Sequence, residues 1–251
     1  MVKIKNKVAI QKMKNSGKML ASLFDQLSSL IVIGMTTADI DRWIEKQLEQ
    51  KGMVSQTKGY YGYRHVSCIA VNDEVVHGVP HDRSVLKNGD IVKVDVCASF
   101  KGYCADMARP FLLGDVSPEA MKLVSVAQVA LDKGISQAIV ENRLGDISSA
   151  VQYEVEKNGF GIVRDFAGHG IGSSMHEAPN IPNYGIAGKG LKLMAGMAFA
   201  IEPMITQGSY KVKIDKQDGW TVRTADGLLA AHVEDTVLVL DDGPFITTRN
   251  V

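Results

Sequence analysis

One pattern occurs twice in this sequence, and the repeat is the strongest constraint on the fold. Each copy has a His-Gly pair, then Leu-x-x-Gly, then a carboxylate six residues after that glycine. The members are His77, residues 86–89 and Asp95 in the first copy, and His169, residues 193–196 and Glu202 in the second. Features that recur in the same order indicate an internal duplication. We therefore expect one α+β domain over residues 1–251, with pseudo-symmetric halves of about 1–115 and 116–251 around a central site.

Helices and strands are predicted in a similar order in each half. Apolar residues at helical spacing, with Thr36 or Thr37 as a cap and Pro118 in a first turn, indicate four helices. The predicted helices cover residues 8–32, 38–50, 118–142 and 145–158. Alternating apolar residues predict strands at 67–71, 92–98, 163–166, 197–205, 220–223 and 228–240.

The first copy of the pattern continues into a predicted β-hairpin that carries two aspartates. Residues 92–98 alternate between apolar and polar or small side chains, and Lys101-Gly102 marks the turn. Because strand side chains alternate between faces, we expect Asp95 and Asp106 to lie opposite each other on one face. Two carboxylates this close repel each other and need shared protons or a cation. The alternative is a pair of solvated aspartates on an edge hairpin.

The same register places Cys97 opposite Cys104. A disulfide prefers Cβ atoms about 3.5–4.5 Å apart, and directly opposed strand residues lie about 4.5–5.5 Å apart, so we expect free thiols. Our hypothesis is that Cys97 neighbours Asp95 and makes the site sensitive to oxidation. The alternative is that both cysteines are small buried fillers.

The composition excludes several classes of protein. The 28 basic residues balance 28 acidic residues, which favours neither nucleic acid nor an anionic membrane as a partner. No apolar run approaches the roughly 20 residues of a transmembrane helix, and residues 1–5 contain no apolar signal core. Three cysteines, an odd count, fit a reducing compartment better than a disulfide scaffold. We therefore expect a cytoplasmic protein.

Three further candidates for the central site lie in the second half. His169 is flanked by glycines, which would let a ligand approach the backbone closely. Glu202 lies in an apolar predicted strand, where an acid is costly unless it is paired or bound to metal; the same holds less strongly for Glu234. Together with the two aspartates they would give four carboxylates and one imidazole. This set is too rich in carboxylate for structural zinc and suits two divalent ions of the manganese, iron or cobalt type, with an ammonium-bearing substrate.

The ordered histidines and carboxylates of this chain resemble the signature of type I methionine aminopeptidases, in peptidase family M24. The matching residues are His77, Asp95, Asp106, His169, His176, Glu202 and Glu234. The most specific local matches are residues 72–80, 168–172, 176–179 and 201–203. The resemblance is to the short bacterial form, without an N-terminal zinc finger or the helical insertion of type II enzymes. It implies the pita-bread (creatinase/aminopeptidase) fold, with an antiparallel sheet around a central dinuclear metal site.

The resemblance also implies an activity and a role for each matching residue. The activity is removal of the initiator methionine from nascent proteins when the second residue is small, by a metal-bridging hydroxide. Two divalent ions (cobalt, manganese, iron, zinc or nickel) would be bound by Asp95, Asp106, His169, Glu202 and Glu234, with Asp106 and Glu234 bridging. The catalytic residues would be His77, His176 and Glu202, the last as general base and then acid. The substrate would contact His77, His176 and a methionine pocket of Tyr60, Tyr63, Cys68, Met175 and Trp220, each of which could instead be plain core.

The implied partner is the N-terminal methionine of peptides and nascent chains, bound by a monomer, with no nucleic acid as substrate and no membrane. Transient contact with the ribosome is left open. Two other functions are also open at this point. An X-Pro aminopeptidase or prolidase would share the fold but carries an added N-terminal domain, which 251 residues hardly allow. A non-catalytic peptide-binding relative would have lost metal ligands, all five of which this chain retains.

Three positions depart from the pattern of the resembled family. Asp235 follows Glu234 where histidine is usual, and Met107 follows Asp106 where a small hydroxyl residue is usual. Cys97 replaces a serine or threonine that often supports the first aspartate. Such changes around a metal site can alter metal affinity or activity by roughly 10- to 100-fold. The three departures therefore bear on the expected catalytic efficiency and leave the metal ligands unchanged.

Overall fold

A computed structural model of the chain describes residues 2–249, so Met1, Asn250 and Val251, at the ends of the expected domain, lie outside it. Its helices are α1 (Lys7–Leu30), α2 (Thr37–Gln50), α3 (Pro118–Ser136) and α4 (Leu144–Lys157). The strands of the first half are β1 (Val54–Ser55), β2 (Cys68–Val71), β3 (Glu74–Val76), β4 (Ile91–Phe100) and β5 (Tyr103–Leu112). Those of the second half are β6 (Gly161–Ile162), β7 (Ala167–Gly170), β8 (Glu177–Pro182), β9 (Ala198–Ile201), β10 (Met204–Thr206), β11 (Val212–Ile214), β12 (Val222–Thr224), β13 (Ala230–His232), β14 (Glu234–Leu240) and β15 (Gly243–Ile246). Among the described residues, no helix is long and apolar enough to cross a membrane.

The main sheet joins strands from both halves of the chain in the antiparallel order β1-β4-β5-β14-β9-β7-β8. β2 pairs with β4 and β15 with β14, and two three-stranded sheets, β13-β10-β6 and β11-β12-β3, flank this path. The helices cover one face of the main sheet. Val94 and Val96 of β4 pack toward α1 and α2, whereas Asp95 between them faces the opposite side, into a cleft.

Two apolar cores correspond to the two expected halves. The first packs α1 and α2 on β4 and includes Leu23, Ile44 and Val94. The second packs α3 and α4 on β9 and β14, and Leu131 and Phe199 belong to it. The duplication that this arrangement suggests stays a prediction.

Three helices lie within two residues of their predicted ends, and α3 does not. Thr36 is the cap of α2, where it forms a reciprocal capping box with Asp39. The prediction that the third helix extends to residue 142 is wrong, because α3 ends at Ser136. Glu141 has a left-handed backbone (φ +77°) and donates its N–H to Leu193 O, so this segment has left the helix to contact the second Leu-x-x-Gly motif.

The long predicted strands of the second half are interrupted. Residues 197–205 form β9 and β10, which are separated at Glu202-Pro203 because proline cannot donate to a ladder and the chain there passes from the main sheet to a smaller one. Residues 228–240 divide at Val233 into β13 and β14 for the same change of sheet. The strand predicted at 163–166 is absent from the described chain; that segment connects β6 to β7. The strand predicted at 220–223 begins two residues later, at Val222.

The β4–β5 hairpin has the predicted face assignment and a different register. Lys101 and Gly102 both have positive φ (50° and 81°), as a two-residue hairpin turn requires, so Phe100 pairs with Tyr103. Counting from this turn, Asp106 lies opposite Cys97 rather than opposite Asp95. The prediction of directly opposed aspartates is therefore wrong by two residues, although both still point to one side as diagonal neighbours.

Candidate metal centre and substrate cleft

The five candidate ligands converge on one cleft because five adjacent strands of the main sheet carry them there. In sheet order, the strands are β4 with Asp95, β5 with Asp106, β14 with Glu234, β9, which ends just before Glu202, and β7 with His169. Ala108 of β5 pairs with both Asp95 and Glu234, and its small side chain leaves room between the two acids. Residues distant in sequence thus meet through sheet topology.

Distances within the centre suit a shared cation. His169 Nε2 lies 3.7 Å from Asp106 Oδ2 and 3.6 Å from Glu202 Oε1. One ligand atom each from Asp106, His169 and Glu234 lies within 4.8 Å of the other two. Asp95 lines the same cleft beside them.

The glycines on either side of His169 were predicted to let a ligand approach the backbone, and the structure gives a different reason for them. A Cβ atom on Gly168 would lie 2.4 Å from Ala200 O, and one on Gly170 would lie 2.3 Å from Ala178 O. These glycines therefore let β7 approach its neighbouring strands, not a ligand. They still position His169, since close packing against β9 brings its ring to Glu202.

Burial and mutual repulsion disfavour charge on the acids of this centre. Burial, followed by the charge of Asp106, raises the pKa of Asp95 and of Glu202 well above the usual range, and Glu234 shifts in the same direction for the same reasons. Burial also raises the pKa of Asp106 to about 6. Burial lowers the pKa of His169 to about 4, which keeps its imidazole neutral and able to bind a metal. Protons or a cation must therefore balance these carboxylates.

Polar atoms without partners provide a test of whether a cation fits. Within residues 2–249, the buried side-chain N and O atoms that lack a hydrogen-bond partner are Asp106 Oδ1, Glu234 Oε1 and His232 Nε2. All three belong to this centre, whereas buried polar groups elsewhere are normally satisfied. Carboxylate oxygens with an imidazole are ligands that divalent transition-metal ions accept. The residues present fit such ions.

His232 is a member of the centre that the sequence analysis missed. It is 1% exposed, and its Nε2 lies 3.6 Å from Glu202 Oε2. Glu202, His232 and Glu234 form a second set whose ligand atoms lie within 4.8 Å of one another. A signal was available, because His232 lies two residues before Glu234 in one predicted strand, and alternation in a strand would place both side chains on the same face.

The predicted substrate-binding residues lie along the same cleft, which has about 630 Å³ of empty volume. They are Tyr60, Tyr63, Cys68, His77, Met175, His176 and Trp220, and Thr57 joins them without having been predicted. The rings of Tyr63 and Trp220 meet edge to face, 5.1 Å apart, and Tyr63 Oη donates to Ser67 O. One wall of the cleft is therefore aromatic and held in place, and the other carries the acids.

Two histidines lie between the acids and the aromatic wall. His176 contacts His169 edge to face, with ring centroids 4.3 Å apart, and its Nδ1 is 2.8 Å from Tyr60 Oη. His77 has a left-handed backbone (φ +58°) and packs its ring against Phe166. Burial lowers the pKa of both histidines, that of His77 to about 4, so neutral rings line the cleft.

The cysteines are all free and buried, as expected, but their neighbours differ from the prediction. Cys97 lies directly opposite Asp106 and two residues from Asp95 on the same face of β4, and the partner of Asp95 on β2 is Cys68. Cys104 lies opposite Ser99, so the two hairpin cysteines are diagonal rather than directly opposed. Burial raises the pKa of the Cys97 thiol, which keeps it protonated. The oxidation hypothesis stays a prediction.

Comparison with known proteins agrees with this geometry. The model of metallopeptidase family M24 matches residues 11–241. A methionine aminopeptidase of Clostridium acetobutylicum is 46% identical over 248 residues, covering 99% of each chain, and methionine aminopeptidase 1 of Bacillus subtilis is 40% identical over 237 residues (94% of this chain, 95% of that one). The crystal structure of methionine aminopeptidase from Thermotoga maritima superposes with a TM-score of 0.97 at 40% identity, covering 100% of both chains.

More distant structures share the architecture. Prolidase from Pyrococcus furiosus matches 99% of this chain and 66% of its own, with a TM-score of 0.79 and 20% identity, which shows the fold alone. The expected pita-bread fold, α+β with a curved antiparallel sheet, is thus confirmed, as is the resemblance on which it was based. The chain belongs to metallopeptidase family M24 and, within it, to the methionine aminopeptidases.

Proposed function

We propose that this protein is a metal-dependent aminopeptidase that removes the initiator methionine from nascent proteins when the second residue is small. The proposal rests on one observation. A single cleft contains both an acidic centre with unpaired buried oxygens and an aromatic pocket of limited size. The names of relatives at 40–46% identity support the same activity.

The centre would hold two divalent ions through the side chains of Asp95, Asp106, His169, Glu202 and Glu234. Four carboxylates balance the charge of two dications. When bound, such ions act as Lewis acids and lower the pKa of water toward neutrality. The surrounding acids also favour a substrate that carries a free ammonium group, which explains a preference for chain termini.

The side chains of the cleft have distinct tasks in this mechanism. Glu202 takes the proton from the attacking water and passes it to the leaving amine, so one carboxylate is general base and then general acid. His176, kept neutral by burial, donates a hydrogen bond to the carbonyl oxygen as negative charge develops on it. His77 contacts the substrate backbone near the scissile bond. The aromatic wall excludes water from the reacting groups.

The pocket formed by Tyr63, Cys68, Met175 and Trp220 would receive the methionine side chain. Methionine is unbranched and polarizable, and a contact between its sulfur and an aromatic ring adds about 0.3–1.5 kcal/mol. His77 and His176 line the cleft beside the acids, and we propose that they limit the size of the second residue. We further propose that the protein acts in the cytoplasm, which its three buried free thiols favour, and that it acts there as a monomer.

Peptide turnover tests this function. With purified protein loaded with Mn²⁺ or Co²⁺, we expect cleavage of Met-Ala-Ser with kcat/KM at least about tenfold above that for Leu-Ala-Ser, since a misfitting side chain typically costs 1–3 kcal/mol. Protein treated with a chelator is the control and should be inactive. Equal cleavage of both peptides would remove the methionine pocket, and preferential cleavage of Ala-Pro would favour an X-Pro peptidase.

A second prediction concerns the hydrogen bond between Tyr60 and His176. In Tyr60→Phe we expect kcat to fall about 2- to 12-fold with little change in KM, because a hydrogen bond of ~0.5–1.5 kcal/mol no longer orients the ring of His176. Tyr61→Phe is the matched control, since Tyr61 is adjacent and 85% exposed. In a His176→Ala background, Tyr60→Phe should have no further effect; an undiminished effect there would mean that Tyr60 acts independently of His176.

A further inference from the structure

Asp235 is a charged side chain that is fully buried behind the metal centre. Its Oδ1 accepts hydrogen bonds from Arg109 and, at 2.7 Å, from Thr248 Oγ1. Its Oδ2 lies 2.8 Å from Arg249 Nε and 2.7 Å from Arg249 Nη2. A buried carboxylate with this many donors has its geometry fixed from several sides, because losing one partner of a buried ion pair is costly.

The two arginines that bind Asp235 make their other contacts in different parts of the molecule. Arg109 uses its remaining donors on the backbone of the centre, at Glu234 O and, 2.9 Å away, Ala108 O. Glu234 is a proposed ligand, and Ala108 is the residue that pairs with both Asp95 and Glu234. Arg249 instead reaches away from the centre to Asp132 of α3, at 2.6 Å.

Two of the three departures from the family pattern meet at this point. Asp235 of β14 is the direct cross-strand partner of Met107 of β5. Both lie on the face of the sheet opposite the cleft, because their neighbours Glu234 and Asp106 point into it. Met107 packs in the core beside α1 and α2. The two departures therefore form one local unit that adjoins two proposed ligands.

We propose that Asp235 and Arg109 are positioning residues of the metal centre. Asp235 accepts a hydrogen bond from Nη2 of Arg109 and so fixes the planar guanidinium, while Nη1 of the same group donates to the carbonyl oxygens of Glu234 and Ala108 and so sets where the Glu234 side chain enters the cleft. This inference rests on the proposed function. Partners that orient metal ligands typically account for 10- to 100-fold in metal affinity, which sets the size of the expected effect.

The test compares two variants, each of which removes one arginine guanidinium that binds Asp235. Arg109→Met removes the arginine that also contacts Glu234, and Arg249→Met removes the one that does not. The measurements are the affinity of metal-free protein for Mn²⁺ by titration calorimetry and the melting temperature without metal. We expect both variants to melt at a lower temperature, and only Arg109→Met to bind Mn²⁺ about 10- to 100-fold more weakly.

Asp235→Asn and Arg109→Lys extend the comparison and replace Arg109→Met if that variant does not fold. Each should weaken Mn²⁺ binding, as Arg109→Met does. Asp235→Asn removes the charge that holds the Arg109 guanidinium, and Arg109→Lys removes the planar guanidinium itself. Unchanged Mn²⁺ affinity in all three variants, or an equal loss in Arg249→Met, would overturn the proposal and leave a purely structural network. Failure of the wild-type protein to bind Mn²⁺ at all would instead reject the proposed metal centre, so the two failures are distinguishable.

Discussion

Asp106→Asn abolishes peptidase activity while the fold survives: this is the largest effect that the structure predicts. A neutral amide in place of this carboxylate removes one negative charge that the proposed divalent ions would need, and Asp106 Oδ1 lacks a hydrogen-bond partner in the protein. We expect kcat/KM to fall at least about 10³-fold, equivalent to about 4 kcal/mol of lost stabilisation. Peptide turnover and metal content per chain are the measurements. Near-normal turnover at low micromolar metal would contradict the ligand assignment.

The same variant should be more stable than the wild type when both are free of metal. The pKa of Asp106 is raised to about 6 in the folded protein, so ionisation above that pH destabilises the fold. The contribution of Asp106 to the free energy of unfolding of the metal-free wild type therefore falls as pH rises from about 4, the unfolded value, through 6. Asparagine lacks this penalty and should gain up to about 3 kcal/mol at pH 7.5, and nothing below pH 4, at about 1.4 kcal/mol per pKa unit. Asp82→Asn, an exposed charge change, is the control.

The side of each strand that faces the cleft could be predicted from the sequence, because alternation in a strand is local. Asp95 and Asp106 were placed on one face correctly. Their relative register was not, since it depends on which two residues occupy the turn, and Lys101 in a left-handed conformation moved the pairing by two positions. Site residues were thus easier to predict than the contacts between them.

The strand predictions in the second half were wrong where one run of apolar residues contributes strands to two different sheets. Glu202-Pro203 and Val233 interrupt predicted strands because the chain changes sheets there, and no local pattern specifies that change. Alternation in the predicted strand could have placed His232 on the face of Glu234, but it could not have predicted the contact of His232 with Glu202. The role of His232 comes from a contact between β13 and the end of β9, which only the tertiary fold brings together.

The resemblance to a family supplied roles for residues that physical reasoning alone would have left as core. Tyr63, Cys68 and Met175 are buried or nearly so, and nothing in their local sequence separates pocket wall from interior. The departures at Met107 and Asp235 are the reverse case. The family pattern marked them as unusual, and the structure accounts for them through contacts with each other and with Arg109.

Glu202→Gln tests the proposed general base, and its expected effect is second only to that of Asp106→Asn. Glu202 lies where β9 ends, with its carboxylate 3.6 Å from the rings of both His169 and His232. Burial, followed by the charge of Asp106, raises the pKa of Glu202 above the usual range, and its carboxyl group can accept a proton and release it. An amide of the same shape can do neither. We expect kcat to fall about 10²- to 10⁴-fold, the usual contribution of general acid–base catalysis.

The loss of kcat in Glu202→Gln must be interpreted together with KM and with the metal content per chain. Because Glu202 acts on the reacting groups more than on the bound methionine, KM should change little, and the amide oxygen should retain at least one ion per chain. Glu156→Gln makes the same chemical change on the exposed face of α4 and should leave kcat unaltered. A fall in kcat smaller than about tenfold in protein with full metal content would show that another group carries the proton, and His232, 3.6 Å away and neutral, is then the candidate to replace next.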